Sequence, residues 1–165
     1  MDTFLEQIIK IRLDGKAKGY IIAIILVDLL LVAGIIALSF LFAPAFLFLI
    51  LVAVVYGSYK LLSAVSVEFE YIFTNGDLDV DKITARSSRK RMVSVKCSNA
   101  EKFGDYTGQA APGSVKQTFY FCNRNSEGQV YMIVPDKSLG TIMIVLAPDE
   151  HMREAIEKAV PRLAK

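Results

Sequence analysis

Two apolar runs dominate the pattern of hydrophobic and polar positions. Tyr20 to Phe42 holds one charge, Asp28, and Ala45 to Leu62 holds one, Lys60, with only Ala43 and Pro44 between the runs. A bilayer core of roughly 30 Å is crossed by about 20 apolar residues in a helix, so each run is expected to span it, the second by drawing on Ser63 to Val65. A two-residue connection makes the spans antiparallel neighbours. The first run exceeds the length of a signal-peptide core and is followed at once by a second, so an anchor is expected here.

Before the spans, Phe4, Leu5, Ile8 and Ile11 recur at helical spacing, and Thr3 with Glu6 has the form of a capping box. This predicts an interfacial amphipathic helix and basic linker over 1–19, ahead of the hairpin at 20–64. Lys10, Arg12, Lys16 and Lys18 precede the first span, and the connection between spans is uncharged. By the positive-inside rule both termini are expected in the cytoplasm of a two-span cell-membrane protein.

After Val65 the period changes to two. Val67, Phe69, Tyr71 and Phe73 alternate with Ser66, Glu68, Glu70 and Ile72, and Asn75-Gly76 is a hairpin turn signal before Leu78 and Val80. Further strands are expected near Met92 to Cys97, Lys116 to Cys122, Gln129 to Val134 and Thr141 to Leu146. A helical turn fits Asn99 to Phe103, and Arg86 to Arg91 reads as a basic connection. Met152, Ala155, Ile156, Ala159, Val160 and Leu163 then form one stripe of a terminal helix, with Pro148 in its first turn and Asp149 and Glu150 at its positive end.

Strands in succession closed by one helix, over 65–165, predict a small α+β domain: a β-barrel or bent sheet capped by a C-terminal helix. At this point the chain resembles the bacterial pleckstrin-homology-like domains of small membrane proteins. Tyr71-Ile72-Phe73-Thr74-Asn75-Gly76-Asp77-Leu78-Asp79-Val80 resembles that fold's opening hairpin, and Ile144-Val145-Leu146-Ala147-Pro148-Asp149-Glu150 its last strand turning into its helix. The resemblance implies a cytoplasmic binding or scaffolding module without catalytic residues. In lipid-binding relatives the first hairpin loop is basic. Here Asp77, Asp79 and Asp81 make it acidic, so the resemblance carries over no phosphoinositide pocket.

Charge and candidate chemistry narrow the function further. The chain has 19 basic and 17 acidic residues and a net charge of +2, unlike the strongly basic face of a nucleic-acid-binding domain. No nucleic acid and no small-molecule substrate is expected. Cys97 and Cys122 stand in strand-like contexts without a metal-ligand grouping, which reads as reduced core thiols. His151, the sole histidine, sits at the edge of the terminal stripe. Glu68 and Glu70 share a strand face that reads as solvated, and the glycines make no nucleotide-binding motif. No catalytic, cofactor or metal residues are assigned.

Two features remain. Asp28 lies 16 residues before Pro44 and Lys60 lies 16 after it, so they are expected at one depth as an intramembrane pair locking the hairpin. Arg86, Arg89, Lys90 and Arg91 form a basic cluster suited to anionic headgroups. The sequence thus predicts a non-catalytic module that binds a protein partner or its own copies, through a sheet edge or the groove beside the terminal helix. Anionic-lipid sensing through 86–91 is the alternative. An accessory role in a membrane transporter or enzyme, carried by Asp28 and Lys60, is the third reading.

Overall fold

The computed structural model describes residues 3–13, 15–40, 44–85, 87–136 and 138–164, without the side chains of 44–46. The chain forms two compact units. One comprises Met1–Ile11, Glu68–Ile83 and Arg89–Lys165; the other comprises Arg12–Val67 and Thr84–Ser88.

The second unit is a helical hairpin of α1 (Gly15–Ser39) and α2 (Pro44–Val65). Both helices are long and apolar enough to cross a membrane, with mean hydropathies of 3.1 and 1.9 over the segments that qualify. No residue of α1 is buried, and its apolar side chains extend around the whole circumference. The Ala43 part of the expected turn lies outside the described residues.

The β unit begins with a correction. Phe4–Lys10 is a strand, β1, and not the interfacial helix expected there. It pairs antiparallel with β2 (Val67–Thr74) from Phe4 opposite Thr74 to Lys10 opposite Glu68. Leu5 and Ile9 reach the core from one side of the strand, so the alternation of period two governs, and the helical spacing of Phe4, Leu5, Ile8 and Ile11 is incidental. A seven-residue segment carrying two isoleucines gains more by completing the β2 ladder than it would as an isolated helix, which nucleates poorly. The supposed capping residue Thr3 instead exchanges bonds with the hairpin turn. Its N–H donates to Asn75 Oδ1 at 2.8 Å, and the Asn75 N–H donates to the Thr3 carbonyl at 3.0 Å.

The hairpin from β2 to β3 (Asp77–Thr84) turns as its sequence predicts, with φ of 51° at Asn75 and 95° at Gly76. The next strand, β4, runs Ser88–Lys96, so most of the expected basic connection is strand. A short 3₁₀ turn at Cys97–Asn99 leads to β5 (Lys102–Asp105), where a helical turn had been expected up to Phe103. The remaining strands are β6 (Gln117–Tyr120), β7 (Val130–Asp136) and β8 (Gly140–Leu146).

The strands make two four-stranded sheets, ordered β1-β2-β3-β4 and β5-β7-β8-β6. β1 runs antiparallel to β2, and β7 antiparallel to β5 and to β8, whereas β6 lies parallel to β8. No ladder joins the sheets among the described residues, so the barrel is not closed. After the 3₁₀ turn the chain leaves the first sheet, because β5 takes β7 as its partner rather than β4.

The core lies among Tyr71, Leu78, Val80, Met132, Ile142, Ile144 and Leu146 from the strands, with Met152 and Ile156 from the terminal helix. On the other face of the second sheet, Ile133, Met143 and Val145 are covered by Tyr106, Val115 and Cys122. Burial on both faces explains why Ile142 to Leu146 is apolar without alternation.

The helix, α3, spans Glu150–Ala159. Asp149 is its N-cap, accepting from the Met152 N–H at 2.8 Å, so Pro148 lies before the cap rather than in the first turn. The helix stops before Pro161, leaving Leu163 wholly exposed and outside the stripe assigned to it.

Candidate functional site: the groove beside the terminal helix

Along α3 the flank that carries Ala155 and Ala159, beside the buried stripe, looks onto β1 and the Asn75-Gly76 turn. Between them runs an open groove of about 670 Å³. Leu5, Phe73, Ala155 and Ala159 supply apolar walls, while Thr3, Asn75, His151, Glu154 and Lys158 supply polar ones. Lys158 and Glu154 are one helical turn apart and form an exposed ion pair at 3.2 Å, which places one charge of each sign on the groove's lip. His151 is exposed on the same lip. It belongs to no metal-ligating group among the described residues.

The edge of β1 is partly occupied. Gln7 reaches from the strand to the start of α3: its Nε2 donates to the Ala147 carbonyl at 3.3 Å, and its Oε1 accepts the Asp149 N–H at 2.9 Å. At the far end Asn123 Nδ2 donates to the Lys10 carbonyl at 3.0 Å. The Lys10 carbonyl is a backbone group that an added strand would need, whereas the Gln7 bonds are made by its side chain.

The basic cluster is largely neutralised. Arg91 sits 2.7 Å from Asp79 and 2.9 Å from Asp81. Arg89 donates from Nη2 to Glu70 Oε1 at 2.9 Å, and its Nη1 lies 2.9 Å from Oε2 without hydrogen-bond alignment. Lys90 is exposed and has no carboxylate within ion-pair distance among the described residues. Arg86 lies outside the described residues. The Glu68/Glu70 face is therefore not simply solvated, because the Glu70 side chain is 1% exposed. Burial pushes the Glu70 carboxyl above its ordinary range, helped by a hydrogen bond shared with Glu6 and by the charges of Glu6 and Asp81, and opposed by Arg89.

Asp28 and Lys60 do not meet. Ser58 Oγ donates to Asp28 Oδ1 at 2.6 Å, and Lys60 Nζ stands 5.7 Å from the centre of the Tyr56 ring. Equal counting from Pro44 carries no information on direction. At 3.6 residues per turn, two positions beyond Ser58 is about 200° around the helix, so a serine facing α1 turns the lysine away.

Both cysteines are free thiols. Burial pushes Cys97 up to about 12 and Cys122 up to about 11, which keeps them protonated and poorly nucleophilic at neutral pH. A second hollow, of about 570 Å³, is lined by Tyr106, Tyr120, Cys122, Arg124 and Gln129. The sequence pointed to a groove beside the terminal helix without naming its residues. Thr3 and Leu5 escape a reading of residues 1–14 as helix; Thr3 bonds Asn75 at the hairpin turn, and Leu5 lies opposite Phe73.

Two sheets, an Asn-Gly opening hairpin and one terminal helix lying against the sheets make this a PH-like domain, here joined to two apolar helices. The chain belongs to the family described as Bacterial PH-like domain (DUF6106), which it matches over residues 1–165. Neither a curated protein nor a solved structure matches it. PH-like domains are generally binding modules.

Proposed function

We propose that this chain is a two-span protein of the cell membrane, with both termini in the cytoplasm, whose PH-like domain is a non-catalytic scaffold holding a segment of a protein partner in the groove beside α3. The observation that carries this reading is the groove itself: apolar walls and a lip bearing one acidic and one basic residue. A peptide with apolar side chains spaced to enter between Ala155, Ala159 and Leu5 suits those walls. The exposed, all-round apolar surface of α1 supports placement in lipid, since such a helix in water would have to be buried in protein.

Anionic-lipid contact by 86–91 ranks second because Arg89 and Arg91 are already paired with carboxylates. An accessory role in transport has only Asp28 and Lys60 behind it, without a chain of further ionisable groups.

The test is affinity purification of full-length protein from its native membrane, comparing wild type with Ala155→Trp, which fills the groove from a half-buried position of α3. A protein that co-purifies stoichiometrically with wild type is expected to fall by at least ~10-fold with the variant, a loss of about 1.4 kcal/mol or more. Unchanged recovery of that protein, with the variant's thermal unfolding intact, would place the partner elsewhere. Recovery only of anionic lipid, abolished by Arg86, Arg89, Lys90 and Arg91→Ser, would favour the second reading.

A further inference from the structure

The geometry points to further copies of this chain as the partners of the two charges in the hairpin: Asp28 of each copy pairs with Lys60 of the next. The inference rests on the hairpin lying in a bilayer, as proposed above.

Among the described residues Asp28 has only a neutral hydroxyl as its partner, and that hydroxyl is shared, because Ser58 Oγ also lies 2.9 Å from the Val54 carbonyl. Among the same residues Lys60 has only a distant aromatic ring. The Asp28–Ser58 bond fixes their relative height. Lys60 is two residues from Ser58, about 3 Å along the axis, yet on the side of α2 turned from α1. The hairpin therefore presents opposite charges at nearly one depth on different sides, and it cannot join them itself. Each is costly alone in lipid, and each is relieved by an opposite charge.

A rotation about the membrane normal preserves depth. Because the two charges lie on different sides of the hairpin, the copies join head to tail, with Lys60 of one at the level of Asp28 in the next, and the contacts close as a ring. An unrelated partner would need a cation at that depth by coincidence. Asp28 opens into a groove of about 400 Å³ between the helices, where Ala23, Ala53 and Gly57 leave room for a neighbouring helix to approach.

The test uses full-length protein carrying two different tags, co-expressed, with self-association read by co-purification in lipid nanodiscs. Asp28→Lys alone and Lys60→Asp alone each put like charges together at every contact between copies, and each is expected to reduce self-association by at least ~10-fold. Mixing these two variants restores one charge of each sign wherever the two alternate, so mixed assembly is expected within ~3-fold of wild type. Should a reversal prevent insertion, Asp28→Asn keeps a partner for Ser58 and is expected to weaken association by ~3-fold or more. Wild-type protein that stays in the membrane after alkaline carbonate but does not self-associate would overturn the pairing alone. So would single reversals that associate like wild type, or reversed variants that fail to complement each other. Release of wild type by carbonate would overturn the membrane reading, and the pairing with it.

Discussion

Tyr71→Phe is expected to destabilise the β domain by about 2 kcal/mol, although it removes one oxygen atom and leaves the core volume nearly intact. Tyr71 lies on β2 with no exposed surface. Its hydroxyl donates to the Phe121 carbonyl at 2.7 Å and accepts the Ala147 N–H at 3.3 Å. One side chain of the first sheet thus satisfies backbone groups just beyond two strands of the second, β6 and β8. Deleting the hydroxyl strands both groups in an apolar interior, where an unsatisfied polar group costs ~1–3 kcal/mol. Tyr71→Ala adds the loss of a buried ring and is expected to cost ~4 kcal/mol or prevent folding. Urea unfolding of the full-length protein in detergent, followed by tyrosine circular dichroism, measures both. A loss under ~0.5 kcal/mol for Tyr71→Phe would mean that the hydroxyl does not bridge the sheets.

The second large effect depends on pH. Removing one member of a buried ion pair commonly costs 3–5 kcal/mol, because the other charge is left without compensation. The Arg89 side chain is 55% exposed and Glu70 1%, so solvent screens one end, and Arg89→Ala is expected to cost about 2 kcal/mol at pH 8. The Glu70 pKa is raised on folding. Its contribution is therefore fully present below the ordinary carboxylate range and is lost as pH rises through the folded value. At pH 4.5 and below, the carboxyl holds its proton more firmly in the folded state, and Arg89→Ala is expected to cost less than half its value at pH 8. Glu70→Gln removes the titrating group. Its stability is expected to fall less than that of wild type between pH 4.5 and pH 8, in the same unfolding measurement. Parallel pH profiles for wild type and Glu70→Gln would show that burial of this carboxylate carries no energetic weight.

Much of the domain was legible because its signals are local. Asn75-Gly76 specifies its own turn through positive φ, and the stripe from Met152 to Val160 specifies its own buried face. The apolar helices follow from run length alone. What escaped depends on partners distant in sequence. Residues 4–10 satisfy either period, and the choice is made by β2, more than sixty residues on, with an open edge to fill. Arg89 reads as part of a basic cluster suited to anionic headgroups, and only the β2 strand shows the buried carboxylate it pairs with. The four-residue β6, joining β8 in parallel, has too little apolar alternation to announce its pairing. In the candidate site the α3 side was visible as a helix face, whereas the β1 side was hidden by the misread strand. Asp28 and Lys60 show the complementary failure: counting residues gives depth along a helix, but direction needs the rotation as well.

The most direct measurement of the central claim is site-specific photo-crosslinking of full-length protein in its native membrane. The photoreactive residue replaces Lys158 on the groove's lip or, as control, Lys96 on the exposed side of β4. The groove reading predicts one discrete protein adduct from position 158 that is absent from position 96 and is lost when Ala155→Trp fills the groove. Equal adducts from both positions, or an adduct at position 158 unaffected by Ala155→Trp, would contradict it.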